Sequence, residues 1–360
     1  MAVHGRGPGT REFSSLTRRG QLGRLRRLGR SALLRYGIDV AALTTLGYAE
    51  NATFRVDSRG ATYLLRMNRP HVHTAGTIES EMAWLSALRH DTTLRVPEPV
   101  PATDGSLVVS VRDEAVPDPH LCVVLRWLDG RFVDKRLTPA KLALVGTLTA
   151  RLHAHAAGWT PPEWFARPRV DALSDGAKAN ALSSDDAALP GEHPSRDDGD
   201  VVLELFESLV SPADAALVSR ALELVRTTAR ELDGSGSFGL IHGDLHYENF
   251  LFNGSEVSAI DFDDCGWGHH LYDLAVTLSE LRSRPRYDQL EDAFLGSYAA
   301  ERPLPKGYAS HLPTLFVLRE LQIATWILES RERAAFREHW RKWTREVLDW
   351  LATSLREIER

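Results

Sequence analysis

Three polar side chains in the second half of the chain have a spacing that could support phosphoryl transfer. Asp244 precedes Asn249 by five residues, and Asp261 follows Asn249 by twelve. The residues between Asn249 and Asp261 read as a β-hairpin with Asn253-Gly254 at its turn. Such a hairpin would bring Asn249 and Asp261 together as two oxygen ligands for Mg²⁺. Asp244 would lie beside them as the base for an acceptor hydroxyl.

These residues and their surroundings resemble the aminoglycoside phosphotransferase and choline kinase-like superfamily. Gly243 stands where protein kinases have an arginine, and the chain continues through Asp261–Gly268 to Asp273 in the superfamily's order. The resemblance covers residues 46–298. It implies an α+β, protein-kinase-like two-lobed fold, with a small antiparallel-sheet N-lobe and a mostly helical C-lobe. It also implies ATP and Mg²⁺ as cofactors.

Several polar residues near the predicted metal site have more than one interpretation. Asp244 is the expected catalytic residue. Asp263 and Asp264 could bind a second metal or a cationic substrate, or they could cap the loop. His246 could support the catalytic loop or face the acceptor. Asp273 could brace that loop, as its counterpart does in the superfamily, or it could be a simple helix N-cap.

The N-lobe of a kinase-like fold needs a cation on its third strand and a helix glutamate to orient it. No lysine occurs in this part of the chain, so the cation must be an arginine. Arg66 ends a strand-like run, and Leu64 shares its face, so Leu64 could contact adenine while Arg66 reaches phosphate. Glu81 is the expected partner of Arg66, because it lies on the apolar stripe of the predicted helix 78–88, where a charge needs a partner.

Two further nucleotide contacts are predicted in the N-lobe. Asn51 follows the first strand at the position of the kinase glycine-rich loop, so Asn51 and nearby backbone amides could cover the phosphates. A plain hairpin turn explains this loop almost equally well. Arg126 and Trp127 lie at the predicted connection to the C-lobe, where backbone amides and carbonyls could bind adenine.

The composition limits the class of protein. A net charge of −6 does not favour nucleic-acid binding, and hydrophobic and charged contents of 43% and 26% are ordinary for a globular protein. Two distant cysteines predict a reducing compartment. No apolar run is long enough to span a membrane, and no secretion signal is visible. We therefore expect a cytoplasmic enzyme with a small-molecule partner, and its oligomeric state stays open.

The predicted organisation has three parts. Residues 1–37 form a basic segment, disordered at first and then helical. Residues 38–127 form the N-lobe, and residues 128–360 form the helical C-lobe with a disordered insertion at 171–200. The leucines of the basic helix could pack on the domain, or the helix could bind an acidic partner or a membrane. Residues 201–232 are predicted to be helical.

The short distance between two acidic residues restricts the acceptor. Only eleven residues separate Asp261 from Asp273, which leaves no room for the activation loop of a regulated protein kinase. The sequence therefore predicts transfer of the ATP γ-phosphoryl group to a hydroxyl of a small molecule, such as an aminoglycoside-, homoserine- or choline-like acceptor. The alternatives are an atypical Ser/Thr protein kinase of the bacterial stress-response type and a non-catalytic nucleotide-binding pseudokinase.

Overall fold

The computed structural model of the protein describes residues 12–48, 50–133, 136–172, 198–233, 236–333 and 335–359. Disorder was predicted for residues 1 to about 20, of which 1–11 lie outside the described residues, as does most of the predicted insertion 171–200. The prediction is wrong at its later end, because Phe13–Ser15 form a short 3₁₀ helix and an α-helix begins at Arg18. A helix also begins at Asp198, within the predicted insertion. The chain divides into two compact units. Unit 1 consists of Met1–Met82 and Pro97–Trp127, and unit 2 consists of Ala83–Val96 and Leu128–Arg360.

Within the described residues, unit 1 is built on an antiparallel sheet of five strands. They are β1 (Val40–Tyr48), β2 (Ala52–Ser58), β3 (Ala61–Met67), β4 (Val109–Asp113) and β5 (Val116–Arg126). Their order across the sheet is β1-β2-β3-β5-β4. The β2–β3 hairpin turns at Gly60, whose φ of 82° favours glycine. This turn sets the register that pairs Phe54 with Leu65.

The basic helix packs its leucines against one face of this sheet. α1 (Arg18–Arg35) begins after Thr17, whose hydroxyl caps its first turn. The buried leucines of α1 are Leu25, Leu28 and Leu33. They share a core with Leu65 of β3, and a Cβ added at Gly29 would lie 2.9 Å from Leu65 Cδ2. The helix therefore packs on its own domain, although Leu34 is exposed.

Strand alternation places Leu64 and Arg66 on the sheet face opposite α1, because Leu65 between them faces that helix. The next helix is α2 (Ala75–Asp91), which carries Glu81. Thr74 caps the start of α2 by accepting a hydrogen bond from the backbone N–H of Thr77. The division between the two units falls within this helix.

Helices make up most of the described part of unit 2. They are α3 (Pro139–Gly158), α4 (Asp198–Leu209), α5 (Pro212–Asp233), α6 (His270–Ser279), α7 (Tyr287–Glu301), α8 (Tyr308–Glu329) and α9 (Trp340–Ile358). The stretch 201–232 was predicted as helical throughout, but it breaks between α4 and α5. Ser211 caps α5 by accepting a hydrogen bond from Asp214 N, and Pro212 has no N–H with which to continue α4.

Two short antiparallel strand pairs lie among these helices. β6 (Phe238–Ile241) pairs with β9 (Gly266–His269), and β7 (Phe250–Asn253) pairs with β8 (Glu256–Ala259). The β7–β8 hairpin was predicted, whereas β6 and β9 were not. The predicted sheet-rich N-lobe and helical C-lobe are both present. Among the described helices, none is long and apolar enough to cross a membrane.

Candidate active site

The loop that carries Asp244 runs from β6 to β7 and is held by a buried carboxylate. Asp273 accepts hydrogen bonds from His242 N at 2.9 Å and from Gly243 N at 2.8 Å. His153 Nε2 lies 3.0 Å from the same carboxylate, and the side chains of His153 and Asp273 are fully buried. The N-cap of α6 is His269, so the N-cap interpretation of Asp273 is wrong. Asp273 braces the loop.

Gly243 is required by the shape of this loop. Its φ is 82°, and a Cβ at this position would lie 2.6 Å from the backbone oxygen of Asp264. Any larger residue would therefore push the loop away from the segment that follows Asp261. Gly243 stands where protein kinases have an arginine, and this close contact explains why a side chain does not fit at that position.

His242 fixes the loop through both ring nitrogens. Its Nε2 lies 3.0 Å from the carbonyl oxygen of Ile260, and its Nδ1 accepts a hydrogen bond from Asp244 N at 3.3 Å. This pattern fits a neutral imidazole with the proton on Nε2. Burial lowers the pKa of His242, which favours the same neutral form.

Among the described residues, the Asp244 carboxylate has three side-chain partners. Arg319 Nη2 donates to Oδ1 at 2.5 Å, and Asn249 Nδ2 donates to Oδ2 at 3.2 Å. His246 Nε2 lies 3.4 Å from Oδ2. Burial alone would oppose the charge, but Arg319 and His246 hold the pKa of Asp244 well below its usual range. Asp244 is therefore ionised at neutral pH.

Two of the residues around Asp244 were not anticipated. Arg319 lies on α8, 75 residues from Asp244 in sequence. Glu280 Oε2 lies 3.6 Å from His246 Nδ1. Although burial opposes the charge of His246, its contacts with Asp244 and Glu280 raise the pKa of His246 to about 10. His246 is thus a cation beside Asp244, a more specific assignment than either sequence-based alternative.

The β7–β8 hairpin brings the two candidate metal ligands to one end, as predicted. Ile260 N donates to Asn249 O at 3.0 Å, which places the next residue, Asp261, beside Asn249 in backbone terms. Asn249 Nδ2 also donates to Asp244 O at 2.8 Å, so Oδ1 is the atom of Asn249 suited to a metal. Asp261 is exposed and has a φ of 66°, which turns the chain sharply.

This donor set suits Mg²⁺ held jointly by protein and phosphate. Among the described residues, no group of three or more His, Cys, Asp or Glu side chains is arranged to hold a metal ion. Mg²⁺ commonly binds through one or two carboxylates and completes its shell with phosphate oxygens and water. One amide oxygen from Asn249 and one carboxylate from Asp261 fit that pattern.

The acidic loop after Asp261 is anchored by an arginine. Arg167 donates from Nη2 to the backbone oxygen of Asp263 at 2.5 Å, and from Nε to the backbone oxygen of Cys265. Arg167 is buried, so a side chain of the protein interior holds the backbone of this loop in place. A role of Asp263 in metal or substrate binding stays a prediction.

In unit 1, Arg66 and Glu81 meet as a bidentate ion pair. Arg66 Nη1 donates to Oε1 at 2.9 Å, and Arg66 Nη2 donates to Oε2. Both side chains are almost fully buried, at 3% and 1% exposure. Planar, two-pronged contact is the geometry that distinguishes arginine from lysine. The contact of Arg66 with phosphate stays a prediction.

The remaining predicted nucleotide residues are also in unit 1. Leu64 is partly exposed on the same sheet face as Arg66. Asn51 Oδ1 accepts a hydrogen bond from Arg69 N at 3.3 Å. The backbone N–H groups of Arg126 and Trp127 donate to carbonyl oxygens within unit 1, so an adenine contact could not use these amides without releasing them.

Comparisons with known proteins identify the family of the chain. Residues 44–308 match the model of the phosphotransferase enzyme family. The chain belongs to this family. A solved microcompartment-associated aminopropanol kinase is 30% identical, with 91% of this chain and 94% of that chain covered and a TM-score of 0.70. The homoserine kinase of Methylocella silvestris is 28% identical over 280 residues, 74% of this chain and 73% of its own length.

A third relative shares the fold at lower identity. An amicoumacin kinase, solved in complex with AMP-PNP, Ca²⁺ and Ami, is 20% identical, with 92% of this chain and 96% of that chain covered and a TM-score of 0.68. The predicted protein-kinase-like fold is therefore confirmed. The chain is a kinase-type phosphotransferase, as the sequence predicted.

Proposed function

We propose that this phosphotransferase moves the γ-phosphoryl group of Mg-ATP to a hydroxyl of a small molecule. The observation that carries the proposal is the set of Asp244, Asn249 and Asp261, with the loop that carries Asp244 braced by Asp273. The acceptor oxygen forms a bond to the γ-phosphorus, the bond from that phosphorus to the bridging oxygen breaks, and ADP leaves. The hydroxyl proton passes to Asp244.

Asp244 acts mainly by orienting the acceptor. Its carboxylate is ionised but a weak base, because Arg319 and His246 stabilise its charge. A loose phosphoryl-transfer transition state needs little proton removal before the phosphorus is attacked. A positioned carboxylate that accepts the hydroxyl hydrogen bond therefore suffices, and the proton transfers late.

Asn249 and Asp261 would hold Mg²⁺, which neutralises charge on the phosphates when bound. Arg66, oriented by Glu81, would serve as the N-lobe cation. The use of a nucleotide and a divalent cation is supported by the amicoumacin kinase, which was solved with AMP-PNP and Ca²⁺. Leu64 would contact the base, and Asn51 would contact the phosphates.

The test has a binding arm and a turnover arm. A ligand that binds only the native state raises apparent stability, so Mg-ATP should raise the melting temperature more than ATP alone. ADP release should then be screened with a panel of hydroxyl metabolites and antibiotics. An unchanged melting curve at saturating Mg-ATP, together with no ADP release above the no-acceptor rate, would contradict the proposal.

A further inference from the structure

Arg319 of α8 lies on one side of the Asp244 carboxylate, and the candidate metal ligand lies on the other. Arg319 Nη2 contacts Oδ1 at 2.5 Å, whereas Asn249 Nδ2 contacts Oδ2 at 3.2 Å. The side occupied by Asn249 faces the proposed metal. The acceptor hydroxyl must also reach this carboxylate, so Arg319 is a neighbour of any acceptor that binds.

Arg319 has hydrogen-bonding capacity that its present contacts do not use. A guanidinium group has five N–H donors. The side chain is 15% exposed, and its Nε is buried without an acceptor among the described residues. A buried donor without an acceptor costs free energy. A ligand oxygen that accepted from Nε would remove this cost.

The charges around Asp244 indicate what kind of ligand group fits. Arg319 is a cation that contacts the carboxylate of Asp244. An acceptor with only an ammonium group would bring a like charge beside this guanidinium. An acceptor that also has a carboxylate adds no net charge, and its carboxylate matches the fork of a guanidinium.

We propose that Arg319 binds a carboxylate of the acceptor and so selects a hydroxy amino acid, such as homoserine, over the corresponding amino alcohol. This inference rests on the proposed function and names its substrate class. The family match ends at residue 308, so membership in the family does not assign this role to Arg319.

The experiment compares two acceptors that differ only by the carboxylate, L-homoserine and 3-aminopropan-1-ol. A second pair, L-serine and ethanolamine, extends the comparison to a shorter chain. The measured quantity is the ratio of kcat/KM between the members of each pair. Loss of the Arg319 contact with Asp244 alters both acceptors alike and cancels in this ratio, whereas a lost carboxylate contact does not.

We expect wild-type protein to prefer homoserine by at least about tenfold, the effect of about 1.4 kcal/mol of differential binding. Arg319→Gln should bring the ratio close to one, mainly by raising KM for homoserine. Arg319→Lys keeps the charge and should retain part of the preference. The control is Arg282→Gln, which removes another partly buried arginine that bonds Glu320 and Glu357, and it should keep the wild-type ratio.

Several outcomes would overturn the inference. A wild-type preference for 3-aminopropan-1-ol would do so, as would an equal loss on both acceptors in Arg319→Gln, which would assign Arg319 to the phosphoryl group. If Arg319→Gln fails to fold, calorimetric binding of both acceptors to wild-type protein and to Arg319→Lys decides. Wild-type protein that binds Mg-ATP but neither binds nor phosphorylates homoserine or serine contradicts the inference and leaves the proposed function intact.

Discussion

Each unit contains an arginine–carboxylate pair, and the two pairs differ in how completely they are closed. Arg66 and Glu81 use both Nη atoms and both carboxylate oxygens, at 3% and 1% exposure. Arg319 reaches one oxygen of Asp244, and these side chains are 15% and 22% exposed. We call Arg66–Glu81 the closed pair, because it is shielded from solvent. We call Arg319–Asp244 the open pair, because part of its surface is accessible. Burial and the number of bonds thus separate Glu81, whose carboxylate oxygens are both occupied by Arg66, from Asp244, whose carboxylate keeps surface for an acceptor.

The largest expected effect is a loss of turnover when the open pair is disrupted. Asp244→Asn should lower kcat by about 10²–10⁴-fold, because the acceptor hydroxyl loses its proton acceptor. Affinity for Mg-ATP, measured by calorimetry, should stay close to that of wild type. The contrast variant is Asp261→Asn, which should also lower turnover but should weaken Mg-ATP binding, because Asp261 is the proposed metal ligand. An equal loss of nucleotide affinity in both variants would reverse these roles.

The closed pair should have the larger effect on stability. Arg66→Ala leaves the Glu81 carboxylate buried without its partner, and we expect a loss of about 3–5 kcal/mol in the free energy of unfolding. Asp244→Asn should cost less, because Arg319 is more exposed and can be partly hydrated. Urea denaturation measures both losses in the free energy of unfolding. The two values can be compared if the dependence of that free energy on urea concentration is the same in both variants. If Asp244→Asn destabilises the protein as much as Arg66→Ala, the two pairs do not differ in the way their exposures indicate.

A double-mutant cycle measures how strongly the closed pair is coupled. Arg66→Ala combined with Glu81→Ala should lose less stability than the sum of the single losses, with a coupling of about 0.5–3 kcal/mol. Arg66→Lys should restore charge without full activity, because lysine lacks the fork. The matched control is the exposed pair Arg126–Glu98 of the same unit, at 53% and 41% exposure. There we expect a coupling of about 0.2–1 kcal/mol.

The cycle also locates the phosphate contact. If Arg66→Ala leaves nucleotide affinity unchanged and the cycle is strictly additive, Arg66 is not the N-lobe cation. The contact would then move to Arg55, which lies on the neighbouring strand, or to the loop amides around Asn51. The family assignment would be unaffected by that result, since it rests on residues 44–308 as a whole.

The contrast between the two pairs also explains what the sequence could predict. Arg66 and Glu81 lie 15 residues apart on a strand and a helix whose periods place each side chain on a known face. The absence of lysine then left arginine as the cation. The arrangement of Asp244, Asn249 and Asp261 could also be predicted from the sequence, because these residues are close in sequence and a short hairpin joins Asn249 to Asp261. Its strands and turn are where the spacing predicted them.

Arg319 carried no comparable signal. It lies in a helix that is buried on several sides, with Leu315, Val317, Leu318 and Leu321 all in the core. A helix that is apolar all round has no stripe that shows which residue faces a site. Strands β6 and β9 were missed for a different reason. Each has only four residues, and the Gly-Trp-Gly-His sequence of β9 has low strand propensity.

The smallest expected effect concerns Glu320, the neighbour of Arg319 on α8. Glu320 contacts Arg282 Nη1 at 3.2 Å and Ser354 Oγ at 2.9 Å, facing α9 rather than Asp244. Burial raises the pKa of Glu320 to about 7, above its usual value near 4.5. Between these values the native state binds more protons than the unfolded state, so stability should fall as pH rises from about 4.5 to 7.

Glu320→Gln removes this titration and should flatten the dependence of unfolding free energy on pH in that window. The change should be at most about 3.4 kcal/mol, since one pKa unit corresponds to about 1.4 kcal/mol. Glu346→Gln is the control, because it removes an exposed carboxylate of α9 that is paired with Lys342, and it should leave the profile unchanged. A profile for Glu320→Gln that matches wild type would show that Glu320 is charged and well solvated. Burial would then be a poor guide to which ionisable groups of this protein interact with solvent, and the difference in exposure between the two arginine–carboxylate pairs would predict less than we infer from it.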